Sequence, residues 1–347
     1  MHVLVIGGSR FIGRAIVQRL LMEGHRVTLL NRGKSPDPFG TRVSRVIGDR
    51  ADPETLKRAL ARRDFDAVVD LVAFREEDTK AAIAACAGRV GHFVHVSTAA
   101  VYLIRDGIYC PFREEDFPGR LQPKTEATAS SWLYAYHKRR CETALQQAWE
   151  TQQFPYTALR LPVVVGPDDY TARTQAYLER LLDGGPILLP DGGLNSWGFV
   201  WVHDVAEVVV ANLANANAFG NAYNLAQREV VSVRQFVELA AAFLERRPVL
   251  VSVPSQWLKS VHLPPTFSPY SHDHDIVLDI SAAQKDLLFR PTPFPTWCEQ
   301  LAQHFRTTWD GNPSKLYATR PLELKLVEEL ASIRLRTRGA AASVVSA

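Results

Sequence analysis

Cysteine is scarce in this 347-residue chain, and Cys86, Cys110, Cys141 and Cys298 stand too far apart to form any CxxC pair. That excludes a disulfide-stapled scaffold and a cysteine-based zinc ribbon. No apolar run approaches the roughly 18 residues needed to cross a bilayer, so membrane spanning is set aside. A surplus of one charge is missing too, with 40 Lys and Arg against 37 Asp and Glu. The net charge of +3 is too small, and the basic residues too scattered, to argue for a nucleic-acid partner. There is no internal repeat, and no stretch at the amino terminus reads as a signal peptide. The expectation is a protein of the reducing cytoplasm.

What is present is a globular composition, 46% hydrophobic, at a length that suits one large or two moderate domains. The first thirty residues read as strand, glycine turn, helix, strand: His2 to Ile6, then Phe11 to Leu21 at helical spacing, then His25 to Leu30. Between them lies Gly7-Gly8-Ser9-Arg10-Phe11-Ile12-Gly13. Such a turn must be tight, must bring backbone close to a pyrophosphate, and must offer that anion the free N–H groups of a helix start. Glycine meets the first two demands because it has no Cβ. Arg10 stands where the dinucleotide pattern places its middle glycine.

Strands and helices keep alternating: strand Val43 to Gly48, helix Pro53 to Arg62, strand Phe65 to Val72, helix Glu76 to Ala87, strand His92 to Ser97. A loop from Leu103 to Ala129 precedes a long helix, Ser130 to Trp149, and a strand, Tyr156 to Val164. Later come helix Ala172 to Leu182, strand Gly198 to Val202, helix Asp204 to Ala214, and a helix from Ser232, its N-cap, to Glu245. The expected fold class is α/β, a Rossmann-type doubly wound parallel sheet with a smaller C-terminal substrate lobe. Residues 1–165, with 199–226 returning, form the dinucleotide lobe, and 166–198 with 227–309 form the other. Residues 310–347 hold an amphipathic helix, Leu322 to Leu335, and a small-residue tail expected to be poorly ordered.

The chemistry concentrates in two places. Thr98 ends the fifth strand, where an open α/β sheet builds its site, and its hydroxyl can hold a substrate oxygen. Tyr134 and Lys138 lie one helical turn apart, so an ammonium can favour the phenolate of a tyrosine that otherwise titrates near pH ~10. That makes Tyr134 a usable acid/base. Arg139 and Arg140 read as an exposed helix face, and Trp201, Trp257 and Trp297 first of all as core or interface aromatics. In Ser271-His272-Asp273-His274-Asp275 the two imidazoles share a strand face with no third ligand, so a solvated turn or lobe contact is expected rather than a metal site.

In order and spacing these residues resemble the extended short-chain dehydrogenase/reductases, a group of NAD(P)-dependent epimerases, dehydratases and reductases. The resemblance runs from about Met1 to Trp309 through GGSRFIG, Gly48-Asp49, VSTAAVY (Val96 to Tyr102), YAYHKRRCE (Tyr134 to Glu142), LRLPVVVGP (Leu159 to Pro167), FVWVHDVA (Phe199 to Ala206), AYNLA (Ala222 to Ala226) and LDISAAQKDLLFRP (Leu278 to Pro291). It implies catalytic roles for Thr98, Tyr134 and Lys138, with Lys138 also bridging the cofactor ribose hydroxyls. It implies cofactor contacts from Gly7, Gly13 and, at the adenine, Asp49, and the candidate cofactor set also takes in Gly8, Ser9, Arg10, Phe11, Ile12, Asn31, Arg32, Arg50 and Tyr134. It also implies a small-molecule substrate and pairing of helices into a homodimer.

Two departures refine this. Nucleotide-sugar members of the family bind the substrate diphosphate with an arginine where this chain has Trp197, which argues against a nucleoside-diphosphate sugar. The GGSRFIG spelling resembles an atypical branch that includes chloroplast stem-loop-binding proteins, some without the Tyr-Lys pair that this chain keeps. The second strand ends Leu30-Asn31-Arg32-Gly33, with no acid to take the ribose 2′-hydroxyl. Arg32, with Arg10 nearby, can instead grip a phosphate, which favours NADP over NAD. The reading is thus an oxidoreductase, epimerase or dehydratase; the alternative is a non-catalytic dinucleotide-sensing or RNA-binding protein.

Overall fold

Val3, Leu4, Val5 and Ile6 are apolar at every position instead of alternating, and all four are fully buried, as a central parallel strand covered on both faces requires. The computed structural model describes residues 1–61, 64–126, 128–271 and 274–345. The order begins β1 (His2–Ile6), α1 (Phe11–Met22), β2 (Arg26–Asn31), β3 (Ser44–Ile47), α2 (Pro53–Ala61), β4 (Ala67–Asp70), α3 (Glu76–Cys86) and β5 (His92–Thr98). A short α4 (Ala100–Leu103) and the long α5 (Ala129–Gln152) lead to β6 (Tyr156–Leu161), β7 (Val163–Val165), α6 (Arg173–Asp183), β8 (Ile187–Pro190) and β9 (Ser196–Trp197). Then follow β10 (Phe199–Trp201), α7 (Val202–Ala211), β11 (Asn221–Asn224), β12 (Val231–Ser232), α8 (Val233–Phe243), β13 (Leu250–Val253) and α9 (Ser255–Ser260). Helices α10 (Ser281–Asp286), α11 (Phe294–Thr308) and α12 (Arg320–Val345) come last.

The chain divides into two compact units, 1–170 with 198–229 and 276–293, and 171–197 with 230–275 and the residues from Phe294 onward. In the first, seven strands form one parallel sheet in the order β11-β6-β5-β4-β1-β2-β3. The strand order reverses between β1 and β4, so a crevice opens outside their carboxyl ends, where doubly wound sheets take ligands. On one face, Leu4, Ile6, Val68 and Phe93 pack with Leu56, Ile83 and Leu145 from α2, α3 and α5. Helix α1 buries Phe11, Ala15, Ile16, Val17 and Leu20, each worth about 1.5–3 kcal/mol for the larger side chains.

In the second unit β8 pairs with β13 and β9 with β12. Ser232 caps α8 by accepting from the Gln235 backbone N–H, and the Gln235 side chain accepts from the Ser232 N–H. Leu326 of α12 enters a cluster with Leu188, Val253, Leu258, Leu263 and Phe267. Arg180 to Glu323, at 2.5 Å, and Arg320 to Asp183, at 2.6 Å, tie the same helix to α6 and its C-terminal end.

Four expectations need correction. The single strand Tyr156 to Val164 is two, because Pro162 has no N–H for a ladder; β7 pairs with β10 apart from the main sheet. Residues 276–293 return to the first unit, held by Asn224 Nδ2 donating to the Asp279 carbonyl and by Thr292 donating to Asp204. Residues 310–345 belong to the second unit instead of standing apart as a third segment. The C-terminal helix does not end at Leu335 but runs to Val345, in keeping with the alanine-rich sequence there. Arg62 of the expected second helix and Ala127 of the expected loop lie outside the described residues.

Candidate active site

The glycine turn follows β1 directly. Gly7 has φ +96°, a conformation that needs glycine, and its N–H donates to the Leu30 carbonyl. A Cβ on Gly13 would sit 2.5 Å from the Gly7 carbonyl oxygen, so the first turn of α1 presses on the turn as only glycine permits. Gly8 faces the other way, against Leu29, Val17 and Val5. Arg10 is the N-cap residue of α1 but makes no side-chain cap hydrogen bond, and the first turn carries no acid. The helix therefore presents uncapped N–H groups and its positive dipole end, a fit for a diphosphate.

Gly7, Arg10 and Gly13 line a cleft of about 640 Å³. Of the expected cofactor residues, Gly7, Ser9, Arg10, Phe11, Ile12, Gly13, Asn31, Arg32, Asp49 and Arg50 border it, and Gly8 does not. Asn31 ties the β2 loop to the glycine turn: its Nδ2 donates to Ser9 Oγ at 2.8 Å and its Oδ1 accepts from the Gly33 N–H at 2.9 Å. Arg32 and Lys34 are exposed beyond it, and Ser35 adds a hydroxyl. The β2 end thus gathers cations and donors with no carboxylate. Asp49 is exposed and accepts from the Ala51 N–H. Arg50 is buried and committed to Asp70 and Asp78 while forming part of the cleft floor.

Thr98 ends β5, and its Oγ1 accepts from the Ala100 N–H at 3.2 Å, a bond that does not use its own O–H. Tyr134, on the second turn of α5, is 43% exposed. Lys138 is deeply buried: Nζ donates to the carbonyls of Val96 at 2.7 Å and Ala73 at 3.0 Å, and lies 3.3 Å from His95 Nε2. Its three donors are occupied inside the protein, so a ribose contact requires exchanging one of them. Neither Lys138, Tyr134 nor Thr98 borders the 640 Å³ cleft, although Val96 does. Burial lowers the Lys138 pKa; burial and the nearby Lys138 and Arg50 charges hold His95 well below the usual histidine range, and its Nδ1 has no partner among the described residues.

Helix α5 is pinned from below. Glu142, one turn past Lys138, accepts from Ser97 Oγ and forms a buried ion pair with Arg160 at 2.7 Å. Arg160 also donates to the Tyr102 hydroxyl, which donates to Asn224 Oδ1 at 2.8 Å. This network fixes α5, and with it Tyr134, against β5, β6 and β11. Arg139 corrects the expected exposed face: it is buried, donates to the Val101 and Phe117 carbonyls, and lies 4.1 Å over the Phe117 ring. The loop after β5 folds over it. Arg140 pairs with Glu76 at 2.7 Å on the rim.

Sequence reading missed Lys34, Ser35, Phe74, Asp78 and Tyr170 in the cleft wall, and His95 and Asp70, which meet Lys138 and Arg50. The NRGKS run was the available signal for Lys34 and Ser35; the others meet only in the fold. Trp197, Trp201 and Trp297 are buried. His272 and Asp273 lie outside the described residues, and among the described residues no group of three or more His, Cys, Asp or Glu could hold a metal. Among them, too, no helix is long and apolar enough to cross a membrane.

The sequence profile described as the NAD dependent epimerase/dehydratase family matches residues 3–226. The chain is similar to the chloroplast stem-loop binding protein of 41 kDa b of Arabidopsis thaliana, 28% identical over 243 residues, which is 66% of this chain and 60% of that protein. It is also similar to a 2-alkyl-3-oxoalkanoate reductase of Stenotrophomonas maltophilia, 34% identical over 29% of this chain and 34% of that one. The matches thus span less than two thirds of each of these relatives, 60% of the first and 34% of the second. Among solved structures, UDP-glucose 4-epimerase of Thermotoga maritima with UDP-glucose superposes with a TM-score of 0.72 at 18% identity, over 89% of this chain and 100% of that one. dTDP-glucose 4,6-dehydratase of Bacillus anthracis, in complex with NAD, gives 0.72 at 19% identity, over 90% and 98%. At these identities the superpositions speak for the fold.

Proposed function

The chain belongs to the NAD dependent epimerase/dehydratase family, and on that footing we propose that it is a short-chain-dehydrogenase-type enzyme that takes NADP in preference to NAD. It works at a hydroxyl or carbonyl carbon of a small polar substrate. The observation that supports this is the cleft itself, an uncapped helix start over Gly7 and Gly13 with Arg32 and Lys34 at the end of β2 and no carboxylate from Asn31 to Ser35. Gly7, Gly13 and the first turn of α1 would hold the diphosphate, Asn31, Arg32, Lys34 and Ser35 the 2′-phosphate, and Asp49 the adenine.

When bound, the nicotinamide supplies or takes up the hydride. Tyr134 moves the matching proton between its phenol oxygen and the substrate oxygen, and the Thr98 hydroxyl donates to that same oxygen. Lys138, fixed beneath by two carbonyls and His95, contributes positive charge to the Tyr134 side of the helix. Trp197, buried, supplies no guanidinium for a substrate diphosphate, which supports a substrate other than a nucleotide sugar. The homodimer and cytoplasmic location belong to the same proposal, and light scattering checks the first.

The test is turnover of NADPH on a panel of carbonyl compounds by the wild type and by Tyr134→Phe. The variant is expected to lose about a hundredfold or more in kcat with cofactor affinity unchanged; full activity would sink the mechanism. One observation favours a second reading, a non-catalytic dinucleotide-sensing or RNA-binding protein: all three Lys138 donors are used internally. Steeply salt-dependent RNA binding with no turnover on the panel is the outcome that reading requires.

A further inference from the structure

After β7 the chain turns back over the start of α1 through Gly166, Pro167, Asp168, Asp169 and Tyr170. Its path is fixed by backbone geometry: Gly166 has φ +150° and a Cβ there would strike Val202, while Asp168 adopts the left-handed φ of +63°. Two arginines one turn apart on the glycine-turn helix hold it. Arg14 pairs with Asp168 at 3.1 Å, and the Arg10 guanidinium lies 5.4 Å from the centre of the Tyr170 ring. Tyr170 is 63% exposed, so packing explains little of its presence, yet it borders the same cleft as Gly7, Arg10 and Gly13. Arg10 at the N-cap has no acceptor to offer the first N–H groups of α1, so they stay open beneath the ring.

We propose that Asp168 and Tyr170 form a clasp over the diphosphate portion of a bound nicotinamide dinucleotide, with Tyr170 touching the cofactor and Arg10 shared between the ring and a phosphate oxygen. The proposal rests on the dinucleotide reading of the cleft. Arg14 and Asp168 set the height of the clasp; the Tyr170 ring and hydroxyl make its contact. Arg10, expected from the sequence to join Arg32 at a 2′-phosphate, lies instead against the Tyr170 ring, so the clasp sits beside the glycine turn and is indifferent to the 2′-phosphate. A clasp of this kind acts on escape of the ligand more than on its arrival.

The experiment is stopped-flow release of NADPH and of NADH from the full-length protein, wild type against Tyr170→Ala, Tyr170→Phe and Asp168→Asn. Tyr170→Ala is expected to speed release of both cofactors about tenfold and alike, as the loss of a ring contact that becomes desolvated only when the cofactor lies beneath it implies. Tyr170→Phe, which keeps the ring, stays within about threefold, and Asp168→Asn falls between. The melting temperature without cofactor stays at the wild-type value. Unchanged release from Tyr170→Ala, release of NADPH alone becoming faster, or a lower melting temperature with equal release rates would each overturn the clasp while leaving the dinucleotide site intact. A wild type that binds neither cofactor would overturn both.

Discussion

Replacing Lys138 by Met separates two roles that its position allows. Methionine fills nearly the same volume, so no large cavity opens, but the carbonyls of Ala73 and Val96 and Nε2 of His95 lose their donor in a buried site. Each such orphan costs about 1–3 kcal/mol, and release of the buried ammonium from its desolvation offsets part of the sum. A net loss of about 3 kcal/mol is expected. Equilibrium urea unfolding reads it as a lower midpoint. Adding His95→Leu should restore part of that loss, because removing both partners of a contact leaves fewer unsatisfied groups than removing one. Wild-type stability in Lys138→Met, with cofactor affinity alone impaired, would refute the claim that this ammonium ties β5 to the loop after β4.

Three further outcomes follow from the same geometry. Arg32→Ala with Lys34→Ala should weaken NADPH by about 10- to 100-fold, the worth of one or two charge-assisted contacts, and leave NADH nearly unchanged; titration with both cofactors decides it. Gly13→Ala puts a methyl 2.5 Å from the Gly7 carbonyl oxygen, so stability should fall by about 1–3 kcal/mol and cofactor binding should be lost, and a melting curve with a wild-type midpoint would contradict this. Burial lowers His92 from 6.5 to about 4, so the unfolded chain takes up its proton first as pH falls. Its share of stability is intact above pH 6.5 and is lost between there and about 4, to a total of about 3 kcal/mol. His95 pulls in the same direction. The fall in urea midpoint over this window should be shallower in His92→Gln, and an unchanged slope would rule that cause out.

Features set by backbone constraint were legible in the sequence. Gly7 and Gly13 stand where a Cβ cannot, Asn31 ends the apolar run of β2 with Arg32 next to it, and Asp49 follows the Gly48 turn after β3, so ten of the expected cofactor residues border one cleft. Features made by chain crossing were not. Tyr170 is 157 residues from Gly13, and the Arg50 to Asp70 pair joins the ends of two strands with nothing in either segment to mark it. Arg139 misled because helical spacing puts it beside Arg140, whereas the loop after β5 covers it and gives its guanidinium two carbonyls. Lys138 was recognisable as a residue but not in its surroundings: the sequence places it a turn below Tyr134 and says nothing of the three acceptors that hold it.

The most direct measurement is a fluorescence titration of the purified wild-type protein with NADPH and, separately, NADH. Saturable binding of both is expected, with NADPH tighter by about tenfold through Arg32 and Lys34. No saturable binding, or NADH the tighter of the two, would contradict the assignment of this cleft.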